Sequence, residues 1–152
     1  MTMTGKNEEL IKDDASSYLD IAEFIQFSGG RVTEDLQQLW RRIIFNILIS
    51  NTDDHLRNHG FILAKDGWQL SPAFDINPSI DKDGLALNID MDNNQLDPDL
   101  AKSIGVHFRL SEKEMDNVIE EVSEAVSGWQ KKAKEVGISR GEQMLMTGAF
   151  RI

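Results

Sequence analysis

The chain has 152 residues, 40% hydrophobic and 28% charged, with 16 Lys and Arg against 26 Asp and Glu and no cysteine. That length suits one domain with its own core, and the absence of thiols excludes disulfides, thiolate zinc sites and a cysteine nucleophile. A formal net charge of -10 opposes a duplex-binding surface or an anionic-membrane anchor, since both need clustered Lys and Arg. No apolar run reaches the ~18 residues of a membrane-crossing helix, and the start at Met1-Thr2-Met3-Thr4 lacks the apolar core of a signal peptide. These features read as a soluble, cytoplasmic protein without direct nucleic-acid or membrane partners.

Residues 1–15 are polar and read as a flexible lead-in. With Ser16 or Ser17 as N-cap, Tyr18, Leu19, Ile21, Ala22, Phe24 and Ile25 fall at helical spacing, and Gly29-Gly30 ends the helix. Thr33 is the expected cap of the next helix, with Glu34 and Asp35 in its first turn, where the helix dipole favours acids. Leu36, Leu39, Trp40, Ile43, Ile44, Ile47 and Leu48 then repeat at three and four to about Ser50. Ile43 to Ile49 is apolar nearly all round, as in a helix at the centre of a domain.

At Asn51 the period stops, and Asn51 to Gly60 reads as a polar loop. Phe61-Ile62-Leu63 and Trp68-Gln69-Leu70 read as two strands joined by a turn at Lys65-Asp66-Gly67. Pro72 and Pro78 keep the following stretch extended, and Leu85 to Ile89 predicts a further short strand. Asp97-Pro98 is an N-cap and N1 pair opening a helix that runs to Gly105. Ser111 to Glu114 is a capping box for a long helix through Met115, Val118, Val122, Val126 and Trp129 to about Val136, stopped by Gly137. Ser139 to Glu142 is a second box, before a terminal helix with Met144 and Leu145. Trp40 and Trp129 lie in helical stripes and read as core. The fold class is mainly α with small β-hairpins.

Three residues carry chemistry: Asp53, Asn58 and Asp75. Asp53 and Asn58 share one loop, and a hairpin folding back can return Asp75 to it. Two carboxylates and an amide oxygen are the hard donors Mg²⁺ prefers, and that ion completes its shell with water and substrate phosphates. Asp-x-x-x-x-Asn is also the spacing of a kinase catalytic loop. Other readings of these residues are structural: Asp53 and Asn58 as turn formers, and Asp75 as a partner of Arg41 or Arg42. His55 and His59 have zinc-helix spacing but lack the general-base Glu, since Leu56 stands there. Asp90-x-Asp92-x-Asn94 starts like a calcium loop but has Gln95 for the sixth-position Gly and Ala101 for the twelfth-position Glu, so it reads as a solvated acidic loop. Ser79 is a turn serine or a modification site beside the Phe74-Asp75 segment.

Asn51-Thr52-Asp53-Asp54-His55-Leu56-Arg57-Asn58, followed by Leu70-Ser71-Pro72-Ala73-Phe74-Asp75, resembles the signature of HipA-like toxin serine/threonine kinases. That family usually shows Asn-Thr-Asp-Gly-His-x-Lys-Asn and then Leu-x-Pro-x-Tyr-Asp. The likeness extends over roughly residues 17–90 and, in general character, along the helical tail. It implies a protein-kinase-like fold, ATP and Mg²⁺ as cofactors, a protein substrate, Asp53 as the catalytic residue, and Asn58 and Asp75 as metal ligands. His55, Arg57, Asn58, Phe74 and Asp75 would then line the nucleotide. Asp54 stands for the usual Gly, Arg57 for Lys and Phe74 for Tyr; Asp54 would add a negative charge beside the phosphates and a residue that tolerates φ > 0.

No phosphate-binding glycine loop is present, and fifteen residues are too few for a β-rich lobe. The expectation is therefore that residues 16–152 form the C-terminal, helical lobe, that the N-terminal lobe is a missing partner, and that the chain alone is inactive. The resemblance also implies a toxin–antitoxin setting with a helix-turn-helix antitoxin as DNA reader. The alternative is a non-catalytic interaction module derived from such a lobe, binding an antitoxin-like partner.

Overall fold

The structure is a computed structural model that describes residues 16–152, so the lead-in read over residues 1–15 lies outside the described residues. Two helices, α1 (Tyr18–Ser28) and α2 (Val32–Leu48), come first, followed by the hairpin strands β1 (Phe61–Ala64) and β2 (Gly67–Leu70). After a long irregular stretch come α3 (Pro98–Ser103), α4 (Glu112–Ser127), α5 (Trp129–Glu135) and α6 (Arg140–Met146). Short 3-10 turns lie at Leu56–Asn58, Gly105–Phe108 and Thr147–Ala149.

α2 is the axis. It packs against α1, β2, α3, α4 and the Gly105–Phe108 turn. Leu36, Leu39, Trp40, Ile43, Ile44 and Ile47 are fully buried. The Trp40 indole N–H donates to the Ala101 carbonyl at 3.0 Å, so its polar edge is satisfied inside the core. Trp129 is half-buried and stacks on Phe150, with ring centroids 4.0 Å apart and planes 7° from parallel.

Ser17, Ser111 and Ser139 each form a complete capping box, with Asp20, Glu114 and Glu142 as reciprocal acceptors. Asp97 caps α3 with Pro98 at its first position. Gly137 follows α5 in a left-handed turn, φ 87°.

Three details differ from the sequence expectation. Thr33 lies inside α2 rather than capping it: Arg31 holds the cap position without a side-chain cap bond, and the Thr33 hydroxyl accepts from Arg109. Glu34 and Asp35 in the first turn supply the charge complement that a cap would otherwise give. The long helix divides at Gly128, which closes α4 and precedes α5, in keeping with glycine's low helix propensity. Leu85 to Ile89 bends at Ala86 and Leu87 and forms no ladder; it is pinned by a single bridge at Asn88, where Tyr18 N donates to Asn88 O at 3.0 Å, and by a loop bond from Ile89 N to Asn93 O at 2.7 Å. Its period of two still governs burial, since Leu85, Leu87 and Ile89 all face the core. One hairpin therefore forms among the described residues.

That hairpin is tied to the α1–α2 turn by backbone contact. Gly30 N donates to Trp68 O at 2.9 Å. Gly67 has φ 132°, and a Cβ there would meet Gly30 N at 2.8 Å and Ser28 O at 2.9 Å. Gly67→Ala is expected to cost about 1–3 kcal/mol from strain and forced displacement, read as a lower urea midpoint; an unchanged midpoint would show that the two turns are not packed in this way.

Candidate active site

α2 ends by delivering its chain into the polar loop. Ser50 takes φ 51°, a left-handed turn, and Asn51 N bonds back to Asn46 O at 2.8 Å. The two adjacent acids of the loop then part. Asp53 points outward with its side chain 80% exposed, and Lys82 Nζ lies 3.8 Å from its Oδ1. Asp54 points inward and is 3% exposed.

The Asp54 carboxylate gathers a buried network on one oxygen. The Tyr18 hydroxyl donates to Oδ2 at 2.6 Å and Asn46 Nδ2 at 2.8 Å, and His59 Nε2 sits 2.9 Å away. Asn46 Nδ2 also reaches the Tyr18 oxygen at 3.2 Å, and Asn51 Nδ2 donates to Asn46 Oδ1 at 3.0 Å. Asp54 therefore does not bring charge to an exposed surface, and it is not among the positive-φ residues. It is the anchor from which the loop hangs, linking α1, α2 and the loop's end. Sequence reasoning missed this network. The signal available was Asn46, a lone amide within Ile43 to Ile49 that had to find partners once buried.

Burial, followed by the nearby Asp54 charge and the bond to it, raises the Tyr18 pKa well above its ordinary value. A raised folded-state pKa means that this contribution to stability is complete below about pH 10 and is lost as pH rises from there through the folded value. Tyr18→Phe is expected to cost about 1–2 kcal/mol at neutral pH and to flatten the alkaline decline in stability. Denaturation midpoints measured across that pH range check both effects; an alkaline decline as steep as the native one would refute the assignment.

The hairpin returns the chain to the same region. Leu70 N donates to Asp35 Oδ2 at 2.9 Å, Ser71 N to Gly60 O at 2.9 Å, and Arg42 Nη2 to Ser71 O. Burial is the main cause that lowers the Arg42 pKa, with Asp54 and Asp35 opposing it. Arg41 pairs instead with Glu121 at 2.7 Å, so these arginines are engaged away from Asp75. Asp75 is exposed and takes φ 55°, and its Oδ1 accepts from Asn77 Nδ2 at 3.0 Å. Asn77 N then reaches Asn51 Oδ1 at 3.4 Å, and Ser79 N donates to Ser50 O at 3.0 Å. The segment after Asp75 thus lies against the start of the Asp53 loop.

The remaining predicted residues fall around these two segments. Asn58 closes the Leu56–Asn58 turn and is 6% exposed. No hydrogen bond joins its side chain to Asp53 or Asp75 among the described residues. His55 Nε2 lies 3.4 Å from Arg57 Nη2, while His55 Nδ1 is buried without a partner among the described residues. The Phe74 ring lies beside Gly60, where a Cβ would meet its Cε1 at 3.4 Å. The His59 ring is committed to Asp54. Asp90 Oδ1 accepts from the amides of Asp92 and Asn93, so that acidic loop is organised by its own backbone. Among the described residues no three His, Cys, Asp or Glu side chains cluster as a metal site, and no helix is long and apolar enough to cross a membrane.

A buried helix feeding a polar loop, a hairpin and a returning acidic segment are the features of a recognisable domain. The family model of the HipA-like C-terminal domain matches residues 1–129, and the chain belongs to that family. A protein of Sinorhizobium fredii (strain NBRC 101917 / NGR234) named "Putative kinase Y4mE" is 25% identical over 122 residues, which cover 80% of this chain and 24% of that protein. The chain therefore spans about a quarter of the length of that relative.

Proposed function

We propose that this HipA-like domain is the catalytic-loop-bearing C-terminal lobe of an ATP- and Mg²⁺-dependent protein serine/threonine kinase of the toxin–antitoxin type, inactive without an N-terminal lobe. The observation that carries this is the return of the Asp75 segment onto the Asp53 loop, through Ser79 N to Ser50 O at 3.0 Å and Asn77 N to Asn51 Oδ1 at 3.4 Å. Family membership and the relative's name support the reading.

Asp53, solvent-facing at the loop, would orient the hydroxyl of the protein substrate and accept its proton. The donors fit Mg²⁺ by their chemistry: Asp75 is an exposed carboxylate, and Asn58 has a carboxamide without a side-chain hydrogen bond among the described residues. When bound, the ion supplies charge neutralisation at the phosphates. His55, Arg57 and Phe74 would line the nucleotide, Arg57 as a fixed cation and Phe74 as a flat apolar face. The implied partners are an N-terminal kinase lobe, a helix-turn-helix antitoxin and the substrate protein, and the implied setting is the cytoplasm.

Titration of the chain with Mn²⁺, followed by NMR, tests the metal assignment. The expected result is selective broadening of the Asp53, Asn58 and Asp75 amides, lost in Asp75→Asn. Asn tolerates the left-handed backbone of position 75, so the variant keeps the fold. Uniform or absent broadening would reject the metal site and leave the non-catalytic interaction module as the reading of this domain.

A further inference from the structure

The last described segment lies beyond the residues matched by the family model, yet it is built into the candidate site. Ala149 is fully buried, and Phe150 stacks on Trp129. These contacts deliver Arg151 to the C-terminus of α2. Arg151 N donates to Leu48 O at 2.7 Å, satisfying one of the carbonyls that a helix end leaves without a partner. The Arg151 side chain donates through Nε to Ser50 Oγ at 3.0 Å. A cation there also complements the negative end of the helix dipole.

Ser50 is the residue on which the two site segments meet. It is 2% exposed and sits in the left-handed region at φ 51°. Its carbonyl accepts from Thr52 N at 2.8 Å, next to Asp53, and from Ser79 N at 3.0 Å, beyond Asp75. A strained, buried residue whose carbonyl joins both segments and whose hydroxyl is held from outside works as a junction. We propose that Arg151 is a positioning residue: by clamping Ser50 at the end of α2, it fixes the Asp53 loop and the Asp75 segment in register for the metal-dependent chemistry. This rests on the functional reading given above for Asp53, Asn58 and Asp75.

The experiment uses the full 152-residue chain and three variants, Arg151→Ala, Ser50→Ala and the double variant. Amide hydrogen exchange at Thr52 and Ser79 is measured by NMR, with Ile44, one turn before the end of α2, as the internal standard. Arg151→Ala is expected to speed exchange at Thr52 and Ser79 about tenfold, the factor for losing one charge-assisted hydrogen bond, and to leave Ile44 unchanged. Titration with Mg²⁺ alone, followed at the Asp53 and Asp75 amides, is expected to give an affinity weakened roughly tenfold, the low end for losing a group that holds a ligand rather than the ion. The double variant should behave like either single one, because both remove the same bond.

Native exchange at Thr52 and Ser79 in Arg151→Ala, or simple addition of the two single effects, would overturn the clamp. So would native Mg²⁺ affinity in that variant. If the native chain shows no Mg²⁺ response, the metal reading of the site fails, and the exchange data with the double variant still decide the clamp.

Discussion

Asp54→Ala is expected to lower the unfolding free energy by about 3–5 kcal/mol, the range for removing one member of a buried charged cluster. The carboxylate is 3% exposed, and Tyr18, Asn46 and His59 all converge on its Oδ2 within 2.9 Å. Its loss leaves buried donors facing an apolar methyl group, and each unsatisfied group costs about 1–3 kcal/mol. Asp54→Asn keeps the volume but sets a second amide donor among donors, so it too is expected to destabilise, by more than about 1 kcal/mol. Urea denaturation of both variants measures this, and a loss below about 1 kcal/mol in Asp54→Ala would mean that the network does not anchor the loop.

The neighbouring residue is expected to behave in the opposite way. Asp53 has its side chain 80% exposed, and Lys82, at 3.8 Å, is its one ion-pair partner among the described residues. Exposed pairs of this kind contribute little, so Asp53→Asn should shift the unfolding free energy by no more than about 0.5 kcal/mol. On the kinase reading proposed above, the same variant, placed in a two-lobed protein that carries this domain, should reduce phosphoryl transfer to a protein substrate by about 10²–10⁴-fold, the usual contribution of a positioned general base. An unimpaired rate would remove Asp53 from catalysis and favour the interaction module. One peptide bond thus separates a residue expected to govern turnover from one expected to govern folding.

That separation was not legible in the sequence. The loop from Asn51 to Gly60 has no period, and neither periodicity nor spacing says which of two consecutive acids turns inward. Helices α1, α3, α4 and α6 were legible because Ser17, Asp97, Ser111 and Ser139 cap their ends by local bonds that need no tertiary context. The hairpin was legible for a similar reason, through two short apolar runs around a tight turn. Thr33 misled because the first turn of α2 carries two acids and its threonine hydroxyl serves Arg109 instead. The stretch from Leu85 to Ile89 has the alternation of a strand, but the backbone it meets supplies a single bridge rather than a ladder. At the candidate site the order of Asp53, Asn58 and Asp75 could be read directly. The left-handed turns at Ser50 and Asp75 could not, because they are imposed by the long-range bonds that join residues 50–51 to 77–79.

The hairpin's attachment to the helices also decides where its sheet has an open side. In the antiparallel register Leu63 faces Trp68 and Phe61 faces Leu70, so the Trp68 carbonyl and the Leu70 amide project away from β1. Gly30 N occupies the first at 2.9 Å and the Asp35 carboxylate the second, also at 2.9 Å. A third strand therefore finds no free ladder along β2. Growth of this sheet, whether by another stretch of polypeptide or by edge-to-edge self-association, is restricted to the Phe61–Ala64 side.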